Sequence, residues 1–345
     1  MNLFYASFIP GLQNVIADVI RDRLAQDVKI LKLLDGAVLF ETETSYDKLN
    51  FFCFNNIFAG LNVINEQTPG NKIVPEKHIR KFINDYTDTE NIIANNSKSF
   101  KTFRVVFSNE NVPAAVDEKL RLDAEHFISS ISGLKVNRSL PDAEFWFLFR
   151  REKEQSFFIF MKRLTLRRSW EKTLHKGELP PPLAWTMCRL ANLVYSDTVL
   201  DPFCGYGSIP DAALKYFHIT KFIACDKTRE AADYAEARFK KRKSGGFILY
   251  KNDFNELPSL LEEKSIDAIV TDPPWGHYKI NDKTFLVNMF DVCGRLLKTG
   301  GRAVVLYAND DEFLKAVPDC FELQEKIPIL LSGKKAVIYK LILKA

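Results

Sequence analysis

Asp272-Pro273-Pro274-Trp275, at the end of the apolar run DAIVT, is composed to grip a hydrogen-bond donor from two sides. Two consecutive prolines remove two amide donors and fix two φ angles, so the Asp272 carboxylate and the Pro273 carbonyl can face one point as paired acceptors. Such a pair suits an exocyclic amino group on a purine, whose lone pair is delocalised into the ring. Acceptors on both N–H bonds turn that nitrogen toward the geometry of a nucleophile, and positioning supplies much of the remaining acceleration. Trp275 adds an aromatic face of the kind that sandwiches a base taken out of its stack; the plainer alternative is core packing. His277 and Tyr278 follow on the same loop, and a surface role explains each as well as a contact does.

A second group lies upstream. Asp201-Pro202-Phe203-Cys204-Gly205-Tyr206-Gly207-Ser208 closes the strand TVL and opens a helix. At the carboxyl end of a strand in a doubly wound sheet, glycines let backbone approach a ligand closely, and Asp201 is placed to accept from a ligand amino group. A lone G-x-G reads equally as an ordinary strand-to-helix turn. About twenty residues on, however, FIACD ends a second strand in Asp226, where two carboxylate oxygens suit a ribose diol. The pair points to an adenosine-containing cofactor, and Pro210 in the place of the third glycine disfavours a dinucleotide. In KNDF, Asp253 suits an adenine N6 donor with Phe254 as a stacking face. The alternative for Asp253 is a cap on the helix expected near Pro258.

These residues need a parallel sheet to position them. From Thr198 onward, strands alternate with amphipathic helices: TVLDPFC, FIACD, FILYKND, DAIVTDPP and GRAVVLYAN, then LQEKIPILL and KAVIYKLILK around a Ser332-Gly333 turn. Before Asn84 the chain alternates strand-like and helix-like patterns. Helices are expected at Gln13 to Leu24 and at LNFFCFNNIF, with a hairpin turn at Asp35-Gly36. The polar stretch Asn84 to Ser99 marks a first boundary. TFRVVFS, a helix over Ala115 to Ile131, and the strands EFWFLFR and SFFIFMKRL joined by REKEQ make a second α+β unit. The segment Lys162 to Lys176 collects basic residues before Pro180-Pro181-Pro182, and a second boundary falls there.

With 345 residues, 46% of them hydrophobic and 27% charged, the chain is expected to fold throughout as more than one domain. No apolar run reaches membrane-spanning length and no signal peptide opens the chain, so a cytoplasmic location without membrane association is expected. The six cysteines and five histidines are scattered, which gives neither a disulfide framework nor a metal site. A net charge of +4 is compatible with an RNA partner without requiring one.

DPFCGYG, the acid of IACD, and TDPPWG, in this order, resemble the motifs of class I amino-methyltransferases with a D/N-P-P-Y/F/W site, over about half of the chain. The N-terminal half, with SFKTFRVVFS, a helix, and KVNRSLPDAEFWFLFR, resembles a THUMP domain preceded by a ferredoxin-like module. Together they resemble the THUMP-containing RNA guanine-N2 methyltransferases that act on tRNA. The resemblance implies an α/β chain: a ferredoxin-like module over 1–90, a THUMP-like RNA-binding domain over 91–165, a basic linker over 166–182, and a Rossmann-like methyltransferase domain with a seven-stranded sheet over 183–345. It places Asp272, Pro273, Pro274 and Trp275 at catalytic positions. It places Asp201, Gly205, Gly207, Asp226 and Asp253 at S-adenosylmethionine positions, and Phe203, Ser208, Lys227 and Phe254 beside them are counted as part of that site. Arg163, Arg167, Arg168, Lys172 and Lys176 could pair with RNA phosphates; a solvated charged helix is the alternative. Protein partners are not indicated. Trp275 stands where these enzymes more often carry Tyr or Phe, and Asp-Pro-Pro-Trp also occurs in adenine-N6 enzymes, so the tetrapeptide alone does not choose the base. An inactive RNA-binding scaffold is a further alternative, against which the intact Asp201, Asp226 and Asp272 argue.

Overall fold

A computed structural model describes residues 1–24, 27–45, 49, 51–66, 76–85, 100–110, 112–151, 156–164, 174–242, 246–275 and 284–344. The chain divides into two compact units, the first made of Met1–Ser7, Asn14–Asn50 and Asn55–Arg168, the second of Phe8–Gln13, Phe51–Phe54 and Ser169–Ala345.

In the first unit the strands are β1 (Asn2–Ser7), β2 (Val28–Leu34), β3 (Ala37–Thr42), β4 (Asn56–Glu66), β5 (Thr102–Asn109), β6 (Val112–Pro113), β7 (Lys135–Val136), β8 (Ala143–Arg151) and β9 (Ser156–Arg163). They form one sheet in the order β2-β3-β1-β4-β9-β8-β5-β6, with β7 beside β5. Antiparallel pairing of β4 with β9 therefore carries a single sheet through residues on both sides of the polar stretch 84–99. Of that stretch, Asn84 and Asp85 end the helix Glu76–Asp85, and 86–99 lie outside the described residues. Helices Glu76–Asp85 and Glu118–Ser132 bury Ile79, Phe82, Leu120, Ala124 and Ile128 against Phe103, Phe107, Phe145, Phe147, Phe158 and Phe160 of the sheet. Tyr5, Leu39, Phe58, Leu148, Phe157, Ile159 and Met161 form a separate cluster with Trp146.

The helix at Gln13–Leu24 is present as expected. The helix expected at LNFFCFNNIF is not. Phe51, Cys53 and Phe54 are buried in irregular backbone, and Asn56 begins β4. A short apolar run is ambiguous in period, and pairing with β1 and β9 draws only its last residues, from Asn56, into a strand.

In the second unit the strands are β10 (Thr198–Asp201), β11 (Lys221–Cys225), β12 (Phe247–Tyr250), β13 (Ile266–Thr271), β14 (Leu297–Tyr307), β15 (Phe321–Leu331) and β16 (Lys334–Leu343). Their order is β12-β11-β10-β13-β14-β16-β15. The first five run parallel, β16 runs antiparallel to β14, and β15, antiparallel to β16, runs in the direction of the first five. The near-continuous apolar character of VVLY, FIAC and AIV follows from burial on both faces. The order reverses between β10 and β13, so the switch point of this sheet lies at the carboxyl ends of those two strands, where ligands of open α/β sheets bind. The N-terminal pieces complete this unit: the Pro10 carbonyl accepts from the Leu330 amide at 3.0 Å, and the Phe52 ring lies 3.9 Å from that of Tyr216. Among the described residues, no helix is long and apolar enough to cross a membrane.

Candidate active site

Three carboxylates gather where β10, β11 and β13 end. Asp201 is 1% exposed; its Oδ1 accepts from the Thr271 hydroxyl at 2.7 Å and from the Phe203 amide at 3.1 Å. The Thr271 bond ties the end of β10 to the residue preceding Asp272. Burial, with the negative charges of Asp226 and Asp272 nearby, raises the Asp201 carboxyl to about 8. Burial likewise raises Asp272 to about 7, opposed by a hydrogen bond from the Trp275 indole. That bond runs from Nε1 to Asp272 Oδ1 at 2.5 Å. Trp275 packs on the apolar core of the unit, as the core-packing alternative from the sequence expected. Pro273 is buried and Pro274 half-buried between them. Gly276 to Lys283, and with them His277 and Tyr278, lie outside the described residues.

Asp226 holds the loop after β10 to the end of β11: its Oδ2 accepts from the Gly205 amide at 2.8 Å and its Oδ1 from the Thr228 amide at 2.8 Å. Gly205 and Gly207 both have positive φ, 51° and 89°. A Cβ built on Gly205 would meet nothing within 4 Å, whereas one on Gly207 would lie 2.9 Å from the Phe239 ring. Gly205 thus borders open space at the strand ends, and Gly207 serves the packing of the helix Arg229–Arg242 over the loop. Asp253 is a helix cap: its Oδ1 accepts from the Asn255 amide at 3.1 Å, and Glu256 completes a capping box. Lys227 is spent on it, Nζ to Oδ2 at 3.1 Å. Phe254 is 6% exposed and packs on Phe203 and Phe285 with ring centroids 4.9 and 5.5 Å away.

Ser208 faces elsewhere than expected. Its hydroxyl donates to Glu178 at 3.1 Å, and the same Glu178 oxygen accepts from Arg238 at 3.1 Å. Arg238 also donates to the Tyr206 carbonyl at 3.3 Å and to Asp211 at 3.0 Å. This guanidinium therefore clamps the peptide between the two glycines. His175 stacks on the Tyr206 ring at 4.0 Å and 7°. Sequence reasoning missed Thr271, Glu178 and Arg238. Thr271 had a signal in adjoining Asp272; the other two sit in unremarkable charged contexts, and only packing reveals them.

Of the basic residues, Arg163 is withdrawn from the surface set. Its side chain is 9% exposed and donates to Glu144 at 3.0 Å and Asn56 at 2.6 Å, because it ends β9 inside the sheet. Lys176 is exposed, and Arg167, Arg168 and Lys172 lie outside the described residues.

With the order β12-β11-β10-β13-β14-β16-β15, β16 alone reversed and acids at three neighbouring strand ends, the second unit has the fold of class I methyltransferases. Over the whole chain the fold matches that of TrmN from Thermus thermophilus, with a TM-score of 0.78 at 18% identity, covering 99% of this chain and 100% of that one. Residues 168–327 match the family described as RMKL-like, methyltransferase domain. Among curated relatives, the tRNA (guanine(10)-N2)-dimethyltransferase of Methanocaldococcus jannaschii is 26% identical over 275 residues, 69% of this chain and 71% of that protein. The human tRNA (guanine(6)-N(2))-methyltransferase THUMP3 is 29% identical over 200 residues, 50% of this chain and 39% of that protein.

Proposed function

We propose that this protein is an S-adenosylmethionine-dependent RNA methyltransferase that modifies the exocyclic N2 of a guanosine, with tRNA as the substrate. The observation that carries the reading is the meeting of Asp201, Asp226 and Asp272 at the switch point of a methyltransferase sheet. Two of these acids titrate near neutrality because they are buried together, an arrangement suited to a cationic ligand. S-adenosylmethionine carries positive charge on its sulfonium and its ammonium, and when bound it supplies the methyl group. Gly205 gives it room, and Asp226 and Asp253 offer carboxylates at the ends of β11 and β12. Asp272 and the Pro273 carbonyl accept the two N–H bonds of the target amine. Asp272 does this as the carboxylate, since a protonated acid gives up an acceptor position.

In this reading residues 1–90 are a ferredoxin-like module and 91–165 a THUMP-like RNA-binding domain, and the two share one sheet. They recognise the shape of a folded RNA, while Arg167, Arg168, Lys172 and Lys176, in and beside the linker 166–182, pair with phosphates in a salt-dependent way. The relatives named as tRNA guanine-N2 methyltransferases support the choice of guanine and of tRNA, and a cytoplasmic location and a part in tRNA processing belong to the same reading.

The test is methyl transfer from labelled S-adenosylmethionine to unmodified tRNA transcripts, followed by digestion to nucleosides. Label in N2-methylguanosine is expected, with kcat falling by roughly 10² to 10³ in Asp272→Ala. Label in N6-methyladenosine would keep the site and overturn the base. Cofactor binding without transfer to any RNA would favour the scaffold alternative.

A further inference from the structure

The indole of Trp275 is engaged before any substrate arrives. Its Nε1 donates to Asp272 Oδ1 at 2.5 Å, three residues back along the chain. The two intervening prolines fix the φ angles that return the chain on itself. The ring is held independently of a ligand, because it packs on the apolar core of the unit. Neither phenylalanine nor tyrosine places a donor where the indole N–H lies. The burial of Asp272 works in the opposite sense to that bond. Asp201, at the end of β10 and joined through Thr271, is within electrostatic reach of both Asp272 and Asp226 at the end of β11. Burial favours the protonated carboxyl of Asp272; a hydrogen bond to the carboxylate favours the charged one.

We propose that Trp275 is a positioning residue that acts on methyl transfer through its N–H: the bond to Oδ1 orients the Asp272 carboxylate and keeps it ionised, leaving Oδ2 to accept from the target amine. This assigns to Trp275 a role separate from stacking on the base, and it rests on the amino-methyltransferase reading above. Burial of the carboxyl and the titration of Asp272 near 7 put the effect within the range where activity is measured.

The experiment is the pH dependence of kcat with labelled S-adenosylmethionine and tRNA, from pH 5.5 to 9.5, for the full-length protein and Trp275→Phe, which retains an aromatic face and lacks the donor. A hydrogen bond to a charged group is large enough to shift a carboxyl by about one to two pH units. The acid limb of Trp275→Phe is therefore expected to move up by that amount, with activity roughly tenfold lower at pH 7 and recovering toward wild type by pH 9. Should Trp275→Phe fail to fold, replacement of Trp275 by β-(3-benzothienyl)alanine, which keeps the indole shape with sulfur in place of N–H, makes the same comparison. An unchanged midpoint, with activity either retained or lowered equally at every pH, overturns the proposal and leaves Trp275 as a stacking surface. A wild-type protein that binds cofactor and methylates no base removes the underlying reading, and this inference with it.

Discussion

Alanine at Gly205 and at Gly207 separates cofactor space from packing, although the two glycines are two residues apart and both have positive φ. A side chain in the left-handed region costs about 1 to 2 kcal/mol at either position. At Gly207 the new methyl would lie 2.9 Å from Phe239 Cε2 and 3.5 Å from the Ala235 Cβ. Phe239 cannot give way easily, being 3% exposed and stacked on Phe247 at 4.0 Å. Overpacking adds about 1 to 3 kcal/mol, so Gly207→Ala is expected to destabilise by about 3 kcal/mol and lower Tm by roughly 6 to 12 °C. At Gly205 the methyl meets nothing within 4 Å, and only the backbone cost remains, roughly 2 to 8 °C. That same methyl enters the space proposed for S-adenosylmethionine, and a clash of about 1 to 3 kcal/mol weakens binding by roughly 10- to 100-fold. Scanning calorimetry gives Tm and isothermal titration gives Kd for both variants. A Gly205→Ala protein that binds S-adenosylmethionine as tightly as wild type would refute the placement of the cofactor against this loop.

Two further outcomes follow from the site. Asp201 and Asp272 hold protons in the folded protein above the range in which an unfolded chain releases them, so the native state binds more protons than the unfolded one between about pH 4 and 8. Their contribution to the stability of the cofactor-free protein is therefore fully present below about pH 4 and falls as pH rises through 7 and 8. Urea titrations at several pH values should show the slope, and Asp201→Asn, which can still accept from Thr271, should reduce it. Arg238→Ala removes the donor shared by Glu178, Asp211 and the Tyr206 carbonyl, and it should weaken S-adenosylmethionine binding severalfold by titration. Arg238→Lys, with one charged point in place of a planar fork, should recover only part of that affinity.

The central strands β10, β11, β13 and β14 of the second unit were legible because parallel strands buried on both faces write themselves as apolar runs, each closed by a polar loop. The carboxylates at the ends of β10, β11 and β13 were legible for the same reason: a strand end fixes where the next residue sits. For Asp253 the structure shows the cap that the sequence offered as the alternative to a cofactor contact. The reversal of strand order at β10 and β13, which makes these separate loops one site, is a property of tertiary pairing. Arg163 and Lys176 belong to one basic run in sequence, yet β9 buries the first and leaves the second exposed, since exposure depends on what pairs with a strand. The helix expected at LNFFCFNNIF gave way to irregular backbone with buried Phe51 and Phe54, and only Asn56 to Phe58 were drawn into pairing with β1 and β9. By itself, then, the sequence determined the kinds of chemical group and the strand ends that carry them. Only the tertiary structure decided that Thr271 latches Asp201, that Arg238 clamps the glycine loop, and that the Trp275 indole bonds Asp272, because hydrogen-bond partners distant in sequence, and the direction of a side chain, are set by packing.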